Sequence, residues 1–247
     1  MTPDGPIIAA SILTADFGNL QRVVRALEKA GVDRLHLDVM DGHFVPALTF
    51  GPDVAAAVRR LTRLPIDLHL MIDAPSRFVP AFLDGGADSV TFHVEAPEPA
   101  ERRRAALEAI RDAGRMAGLA MSPGTPTATL EPYADLLDIV MVMTVVPGAG
   151  GQRFLIEEAP RIEQSATLRD GRGRRLEVHV DGGVNRETAP IVGGYGADVL
   201  VVGSALFQRG RDTADEVDAV RRAASTAAIE SRVSRIPGDA AAGPPLP

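Results

Sequence analysis

Histidine and aspartate residues recur at the ends of apolar runs that have the composition of β-strands. His36 and Asp38 end one run, His69 lies near the end of a second, and Asp181 ends a third. Side chains two apart on a strand share a face, so His36 and Asp38 point to the same side. Imidazoles and carboxylates from different strands are suitable ligands for a divalent cation. The spacing therefore predicts a metal site formed by these four side chains.

The chemistry of this ligand set narrows the choice of metal without fixing it. The chain has no cysteine, so thiolate ligands are excluded. Imidazole and carboxylate suit Zn²⁺, Fe²⁺, Mn²⁺ or Co²⁺, with Zn²⁺ as the first candidate. Asp67 shares a face with His69, and we expect it to orient the free ring nitrogen of His69, unless it lies deeper and pairs elsewhere. His93 and His179 are interpreted as supporting or structural residues, and His43 as a loop residue.

Three methionines follow the same spacing as the ligands. Met40 shares a face with Asp38, Met71 shares a face with His69, and Met143 ends the sixth predicted strand. Methionine most often fills a core. The alternative is a soft lining that excludes water from the metal, and the pattern leaves both interpretations open.

Glycines follow the last three predicted strands. A glycine-rich loop at 146–153 follows the sixth strand, Gly182 and Gly183 follow the seventh, and Gly203 and Ser204 precede a short helical segment after the eighth. Barrel enzymes often bind phosphate at the loops after strands seven and eight. Because glycines let backbone N–H groups approach oxygen atoms, the pattern indicates a phosphate site. The loop at 146–153 is long enough to close over a substrate.

Apolar, β-branched runs alternate with segments of helical spacing along most of the chain. The predicted strands are Ile7–Ala10, Arg34–Val39, Ile66–Leu70, Ser89–His93, Met116–Ala120, Ile139–Met143, Leu176–Val180 and Val199–Val202. The predicted helices include Leu20–Ala30, Pro52–Leu61, Ala100–Ala113, Ile156–Thr167, Thr188–Gly193 and Ala214–Ile229. This alternation is typical of parallel strands with right-handed crossovers, and eight repeats close into an α/β TIM (β/α)8 barrel. The rival, a doubly wound sheet, usually has fewer strands and a glycine-rich first turn.

Composition restricts the class of protein. The 247 residues, 45% of them hydrophobic, suit one barrel domain at 1–235, followed by a Pro/Ala/Gly-rich tail at 236–247 that we expect to be disordered. A net charge of −7 without a basic stripe argues against nucleic acid as a partner. We find neither a signal pattern nor an apolar run of membrane-spanning length. These features, with the lack of cysteine, fit the cytoplasm.

The chain is similar to the ribulose-phosphate 3-epimerase family over about residues 7–208. The matching strings, in the family's order, are Ala10–Phe17, His36–Gly42, Asp67–Met71, Thr91–Ala96, Pro147–Gln152, Asp181–Val184 and Gly203–Phe207. The resemblance implies a TIM barrel that interconverts D-ribulose 5-phosphate and D-xylulose 5-phosphate. It also implies a homo-oligomer, because family members are often dimers or hexamers.

The resemblance implies roles for particular residues. Metal binding is assigned to His36, Asp38, His69 and Asp181, and Asp38 and Asp181 also form the acid/base pair that works through a metal-stabilised enediolate. Contacts to the substrate and its phosphate are assigned to Ser11, His69, Gly148, Ala149, Gly150, Gly151, Asp181, Gly182, Gly183, Gly203 and Ser204. Capping of the intermediate is assigned to Met40, Met71 and Met143.

The chain departs from the family's pattern in the lid and around the ligands. Val146, Ala149, Ala47, Ser122 and His179 replace the usual polar or acidic residue, Phe, Asn, Asn and Glu, respectively. These changes leave a 3-epimerase of a ketohexose phosphate, such as D-allulose 6-phosphate, as an alternative. A metal-dependent hydrolase and a non-catalytic phosphate-binding barrel are further alternatives. The arginine-rich segment 169–175 is either a solvated loop or a subunit contact.

Overall fold

Eight parallel strands close into a barrel in the computed structural model, which describes residues 5–169 and 175–235. Each strand pairs with the next along the chain, and β8 pairs with β1 to complete the ring. The strands are β1 Ile7–Ser11, β2 Arg34–Met40, β3 Ile66–Met71, β4 Ser89–His93, β5 Met116–Met121, β6 Ile139–Met143, β7 Glu177–Asp181 and β8 Val199–Val202. The predicted TIM barrel is confirmed, with strand ends within about two residues of those expected.

Helices cover the outside of the barrel. They are α1 Leu20–Lys29, α2 Pro52–Leu61, α3 Pro75–Asp84, α4 Ala100–Asp112, α5 Pro160–Thr167, α6 Ala189–Gly194 and α7 Thr213–Arg235. Helix α3 contains Pro80 in its interior and ends at the glycine pair Gly85–Gly86, but the sequence analysis gave it no bounds. Between β5 and β6 the chain forms a 3-10 helix, Thr127–Tyr133, and the predicted helix at 156–167 begins with a separate 3-10 turn.

The outward face of the strands forms the main hydrophobic core. On β2, for example, Leu35, Leu37 and Val39 are buried against the helix layer, which contributes side chains such as Val24 and Val58. Apolar residues at alternate positions of all eight strands join this one cluster. The helices are therefore held to the barrel by apolar burial, and the inward positions of the strands are free to carry other residue types.

The inward face carries buried polar residues on β2, β3, β4 and β7, whereas inward positions of β1, β5, β6 and β8 are mostly apolar. His36 and Asp38 of β2 lie directly opposite Asp67 and His69 of β3 in the parallel register. All four side chains are at most 3% exposed. The pairing brings ionisable groups side by side in a dry interior, so hydrogen bonds and charge pairing must satisfy them.

Two sequence predictions fall on residues that the structure does not describe. These are the tail at 236–247 and the centre of the arginine-rich segment, residues 170–174. Among the described helices, none combines the length and the apolar character that crossing a membrane requires.

Candidate active site

The four predicted ligands converge at the carboxyl ends of three strands. Ligand atoms from His36, Asp38, His69 and Asp181 all lie within 4.8 Å of one another. His36 Nε2 is 3.5 Å from Asp38 Oδ1, and His69 Nδ1 is 3.3 Å from Asp181 Oδ2. Lateral pairing of β2 with β3 accounts for the closeness of Asp38 and His69, whereas closure of the barrel brings in Asp181.

This cluster has the properties expected of a cation site. His36 Nε2 and His69 Nδ1 are buried and have no hydrogen-bond partner, although both face carboxylate oxygens. A buried imidazole nitrogen without a partner is costly unless a proton or a metal ion satisfies it. Two nitrogens and two carboxylates within reach of one point fit a divalent cation such as Zn²⁺. The residues present therefore fit the predicted group.

Asp67 contacts His36 and not His69, so of the two interpretations left open by the sequence the structure supports the deeper position with a partner elsewhere. Asp67 Oδ2 lies 2.8 Å from His36 Nδ1, the ring nitrogen that points away from the ligand cluster. Its other oxygen accepts a hydrogen bond from Ser89 Oγ. The physical reason is the register, since Asp67 lies beside His36 on the neighbouring strand, while His69 is two residues further along its own strand.

His69 is held by a different kind of partner. Its Nε2 lies 2.9 Å from Nε2 of His93 on β4, and the two ring planes are inclined by 25° with centroids 5.0 Å apart, so the rings meet at their edges. On its far side, His93 Nδ1 lies 3.1 Å from Glu95 Oε2 and 3.2 Å from Ser122 Oγ. His93 was expected to be a supporting residue, and its position next to a ligand agrees with that expectation.

The charges in the cluster oppose the cost of burial. Burial alone would lower the pKa of His36, but the carboxylates of Asp38 and Asp67 raise it well above its usual value. The pKa of His69 is raised in the same way, against burial, by Asp181 and Asp38. Burial would raise the pKa of Asp38, but His36 and His69 hold it well below its usual range. In the metal-free chain, the imidazoles therefore retain protons to higher pH than usual.

A buried ladder of charged groups extends from this cluster to the opposite end of the barrel. His179 Nε2 lies 3.1 Å from Glu177 Oε2, and Arg34 Nη1 lies 2.8 Å from the same oxygen. His179 Nδ1 is 3.6 Å from Asp67 Oδ2. Although burial opposes it, contacts with His179 and Arg34 lower the pKa of Glu177 to about 2. His179 departs from the family's pattern. The positive charge of its protonated ring is compensated by its acidic neighbours.

A cavity of about 260 Å³ opens above the ligand cluster at the carboxyl end of the barrel. Its walls include most of the predicted contact residues: Ser11, Asp38, Met40, Met71, Met143, Gly148, Ala149, Gly150, Gly151, Asp181, Gly182, Gly183, Gly203 and Ser204. His36 and His69 are fully buried, so of the four predicted ligands the two aspartates reach the cavity. Asp38 is fixed by Ser11, whose Oγ donates to Asp38 Oδ2 over 2.7 Å.

The glycine pair after β7 permits a close approach that other residues would block. Gly182 and Gly183 have φ values of 121° and 67°, in the region that favours glycine. A Cβ on Gly183 would lie 2.6 Å from the backbone nitrogen of Phe154. After β8, residues Ser204–Phe207 form the expected short helical segment as a 3-10 helix. Both segments line the cavity beside Asp181 and suit the binding of an anion.

The loop after β6 closes one side of the cavity and is fastened by its own side chain. Gln152 Nε2 donates to the carbonyl oxygens of Val146 and Ala149, over 2.7 and 2.8 Å. A Cβ placed on Gly150 would lie 2.7 Å from Thr14 Cγ2, so the loop packs tightly against the segment after β1. The loop therefore forms a compact flap whose backbone faces the cavity.

Sequence reasoning missed several residues at the site. Thr14, Asn185 and Gln208 line the cavity but were not singled out. Asn185 follows the glycine pair, and its Oδ1 accepts from the N–H groups of Glu187 and Thr188, so it shapes the turn into α6. An Asn shortly before a helical pattern is a typical turn signal and could have indicated this residue. Glu95 had no such signal, because its contact with His93 depends on side-chain placement.

Comparison with known proteins gives a consistent family. The model of the ribulose-phosphate 3 epimerase family matches residues 7–207. The chain is 46% identical over 201 residues to the ribulose-phosphate 3-epimerase of Bacillus subtilis (strain 168), which covers 81% of this chain and 91% of that protein. It is 43% identical over 232 residues to the ribulose-phosphate 3-epimerase of Rhodobacter capsulatus, with 94% and 99% covered.

Solved structures support the barrel at the level of fold. A 3-keto-L-gulonate-6-phosphate decarboxylase from Vibrio cholerae superposes with a TM-score of 0.65 at 15% identity, covering 90% of this chain and 98% of that one. A 3-hexulose-6-phosphate synthase from Salmonella typhimurium gives 0.65 at 19% identity, covering 91% and 99%. At these identities, the similarity carries the architecture alone.

Proposed function

The chain belongs to the ribulose-phosphate 3-epimerase family, and we propose that it interconverts D-ribulose 5-phosphate and D-xylulose 5-phosphate by moving a proton on and off C3. The observation that carries this proposal is the pair formed by Asp38 and Asp181. These carboxylates come from β2 and β7, share one ligand cluster, and are the ligands that line the cavity. The relatives named above carry the epimerase name, which does not favour a hydrolase or a non-catalytic barrel.

Inversion at C3 requires removal of a proton from one face of the carbon and its return on the other. The neighbouring C2 carbonyl makes this proton acidic, because the resulting charge spreads onto oxygen as an enediolate. In our proposal, one of Asp38 and Asp181 accepts the proton while the other donates its own, and the roles exchange in the reverse direction. Ser11 orients Asp38 through the hydrogen bond to Oδ2.

We propose that His36, Asp38, His69 and Asp181 hold a divalent cation, with Zn²⁺ as the first candidate. The partnerless nitrogens of His36 and His69 support this assignment. A bound cation supplies Lewis-acid stabilisation for the negative charge that develops on the sugar oxygens. Asp38 and Asp181 thus have two tasks, because they hold the cation and also move the proton.

The rest of the cavity is assigned to the substrate. Gly182, Gly183, Gly203 and Ser204 receive the phosphate, in keeping with the loops that bind phosphate in other barrels. Met40, Met71 and Met143 line the cavity with apolar surface, which keeps water from the reacting carbon. The flap at 146–152 covers the sugar. We also propose that the chain acts in the cytoplasm as a homo-oligomer.

The test follows solvent deuterium into C3 by NMR, using zinc-loaded protein and each pentulose phosphate in turn. With two bases on opposite faces, Asp38→Asn and Asp181→Asn each abolish epimerisation, and each variant exchanges C3 hydrogen in a different epimer. Asp112→Asn, an exposed carboxylate on α4, serves as the matched control and keeps wild-type turnover. The zinc content of each variant is measured alongside, because both aspartates are also assigned as ligands.

Three results would contradict the proposal. Near-normal epimerisation by either aspartate variant would remove the two-base assignment. Faster turnover of D-allulose 6-phosphate than of D-ribulose 5-phosphate by the wild-type chain would assign the site to a ketohexose phosphate instead. Release of inorganic phosphate without deuterium at C3 would identify a hydrolase.

A further inference from the structure

We propose that Glu95 and His93 form a positioning relay that fixes the tautomer of His69, so that the Nδ1 lone pair of His69 is directed at the cation. This inference rests on the metal site of the proposed function. The juxtaposition that carries it is a continuous line of contacts. Glu95 Oε2 lies 3.1 Å from His93 Nδ1, and His93 Nε2 lies 2.9 Å from His69 Nε2.

The direction of each hydrogen bond follows from the outer end of this line. The carboxylate of Glu95 can only accept, so His93 Nδ1 must carry a hydrogen and donate it. In a neutral imidazole, the other nitrogen then has a lone pair, and His93 Nε2 is an acceptor. Since one hydrogen alone fits between the two facing Nε2 atoms, that hydrogen belongs to His69 Nε2. In the neutral form of His69, Nδ1 is therefore the nitrogen without a hydrogen, and it can bind a cation.

The surroundings hold the relay in place. His69 and His93 are both fully buried, so no solvent competes for their ring nitrogens. Glu95 is fixed from its other oxygen, because Oε1 accepts from the backbone N–H of Ser122 over 2.8 Å. The ring of Phe44 packs against His93 with centroids 4.8 Å apart. Little freedom is left for either imidazole to rotate.

The two ligand imidazoles therefore have different supports. A carboxylate, Asp67, contacts His36 directly, whereas Glu95 acts on His69 through an intervening imidazole. The carboxylate of Glu95 is thus separated from the cation by two imidazoles, whereas that of Asp67 is separated by one. We assign His93 and Glu95 as positioning residues, since neither lines the cavity.

The decisive measurements use zinc alone. Dissociation constants are obtained by chelator competition for wild type, His93→Leu, His93→Gln, Glu95→Gln and the control His43→Gln, which alters an exposed loop histidine. We expect His93→Leu to weaken zinc binding roughly 10–100-fold, the range typical for such supporting groups. His93→Gln, which retains a carbonyl acceptor, recovers part of this affinity, Glu95→Gln has a smaller effect, and His43→Gln has none.

A spectroscopic measurement on the wild-type chain keeps the inference testable if a variant does not fold. ¹⁵N NMR of zinc-loaded protein should find His69 bound through Nδ1 with a hydrogen on Nε2, and His93 with a hydrogen on Nδ1. A hydrogen on His69 Nδ1, or zinc affinity unchanged in His93→Leu, would overturn the relay alone. Failure of the wild-type chain to bind zinc would instead overturn the metal site on which the relay depends.

Discussion

The two faces of strand β2 perform different tasks with alternate residues. Leu35, Leu37 and Val39 point outward into the helix layer, while His36 and Asp38 point inward to the ligand cluster. Both sets are buried, so burial does not distinguish them. The outer set gains free energy from the removal of apolar surface from water, whereas the inner set is tolerated because its charges are paired. Adjacent positions should therefore respond very differently to substitution.

The largest effect is expected on the inner face. Asp38→Asn should reduce epimerisation by at least about 10²–10⁴-fold, because a proton-transfer group is lost. Its thermal midpoint should change far less than that of a core variant, as the amide can still accept from Ser11. Turnover and thermal unfolding of the same preparation check this. A fall in the thermal midpoint of Asp38→Asn as large as that of a core variant would contradict the distinction between the two faces.

The neighbouring outward residue should give the opposite result. Leu37→Ala removes a fully buried side chain from the main core and should lower the free energy of unfolding by about 2–5 kcal/mol. The folded fraction should retain its turnover, since the side chain does not face the cavity. Urea titration measures the free energy of unfolding, and the turnover number per folded molecule is measured on the same sample. A large loss of turnover per folded molecule would contradict the division.

Substitution of a residue that orients a proposed ligand should have an intermediate effect on zinc binding. Asp67→Asn keeps the size of the side chain but removes the charge beside His36 Nδ1, and zinc affinity should fall about 10–100-fold. Chelator competition gives the affinity. Asp53→Asn, on α2, is a control from which no change is expected. Equal affinities for all three chains would mean that the buried carboxylate serves stability alone.

Acid should weaken zinc binding. The pKa values of His36 and His69 are raised in the metal-free chain, so their protons must leave before a cation binds. Lowering the pH through these raised values should therefore raise the dissociation constant, and binding should release protons. Calorimetry in two buffers with different ionisation enthalpies measures the release. Identical heats in both buffers would show that no proton is exchanged.

The smallest effect is expected at the flap. Gln152→Ala removes two solvent-exposed hydrogen bonds that fasten the loop to itself, and water can take the place of the lost donor. The KM for the pentulose phosphate should rise several-fold, while the free energy of unfolding stays within experimental error of wild type. Steady-state kinetics and urea titration check the two parts. A fall in kcat with KM unchanged would instead assign the loop to the chemical step.

The outer face could be predicted from the sequence because its signal is local. Apolar runs of strand length at regular intervals located all eight strands, and the histidines and aspartates at their ends marked the ligand cluster. The bounds of helix α3 are harder to predict because Pro75 and Pro80 interrupt its pattern, although Pro75 occupies a first-turn position that tolerates proline.

The inner contacts are harder to predict, since they depend on the lateral register of strands. The sequence places Asp67 on the same face as His69, and only the pairing of β2 with β3 shows that it meets His36. The contact between His69 and His93 likewise joins strands whose alignment no local pattern specifies. Residue types and their spacing thus indicate the chemistry of the site. Which residue contacts which can be known only from the alignment of neighbouring strands in the folded barrel.

The seam between β1 and β8 has a consequence for assembly. Asp181 enters the ligand cluster from β7, and the ring is complete only when β8 pairs with β1. In a chain whose ring is still open between β1 and β8, only the three proposed ligands of β2 and β3 would be held in register with one another, and Asp181 would not yet be fixed beside them. We therefore expect tight uptake of a cation during refolding to coincide in time with closure of the ring.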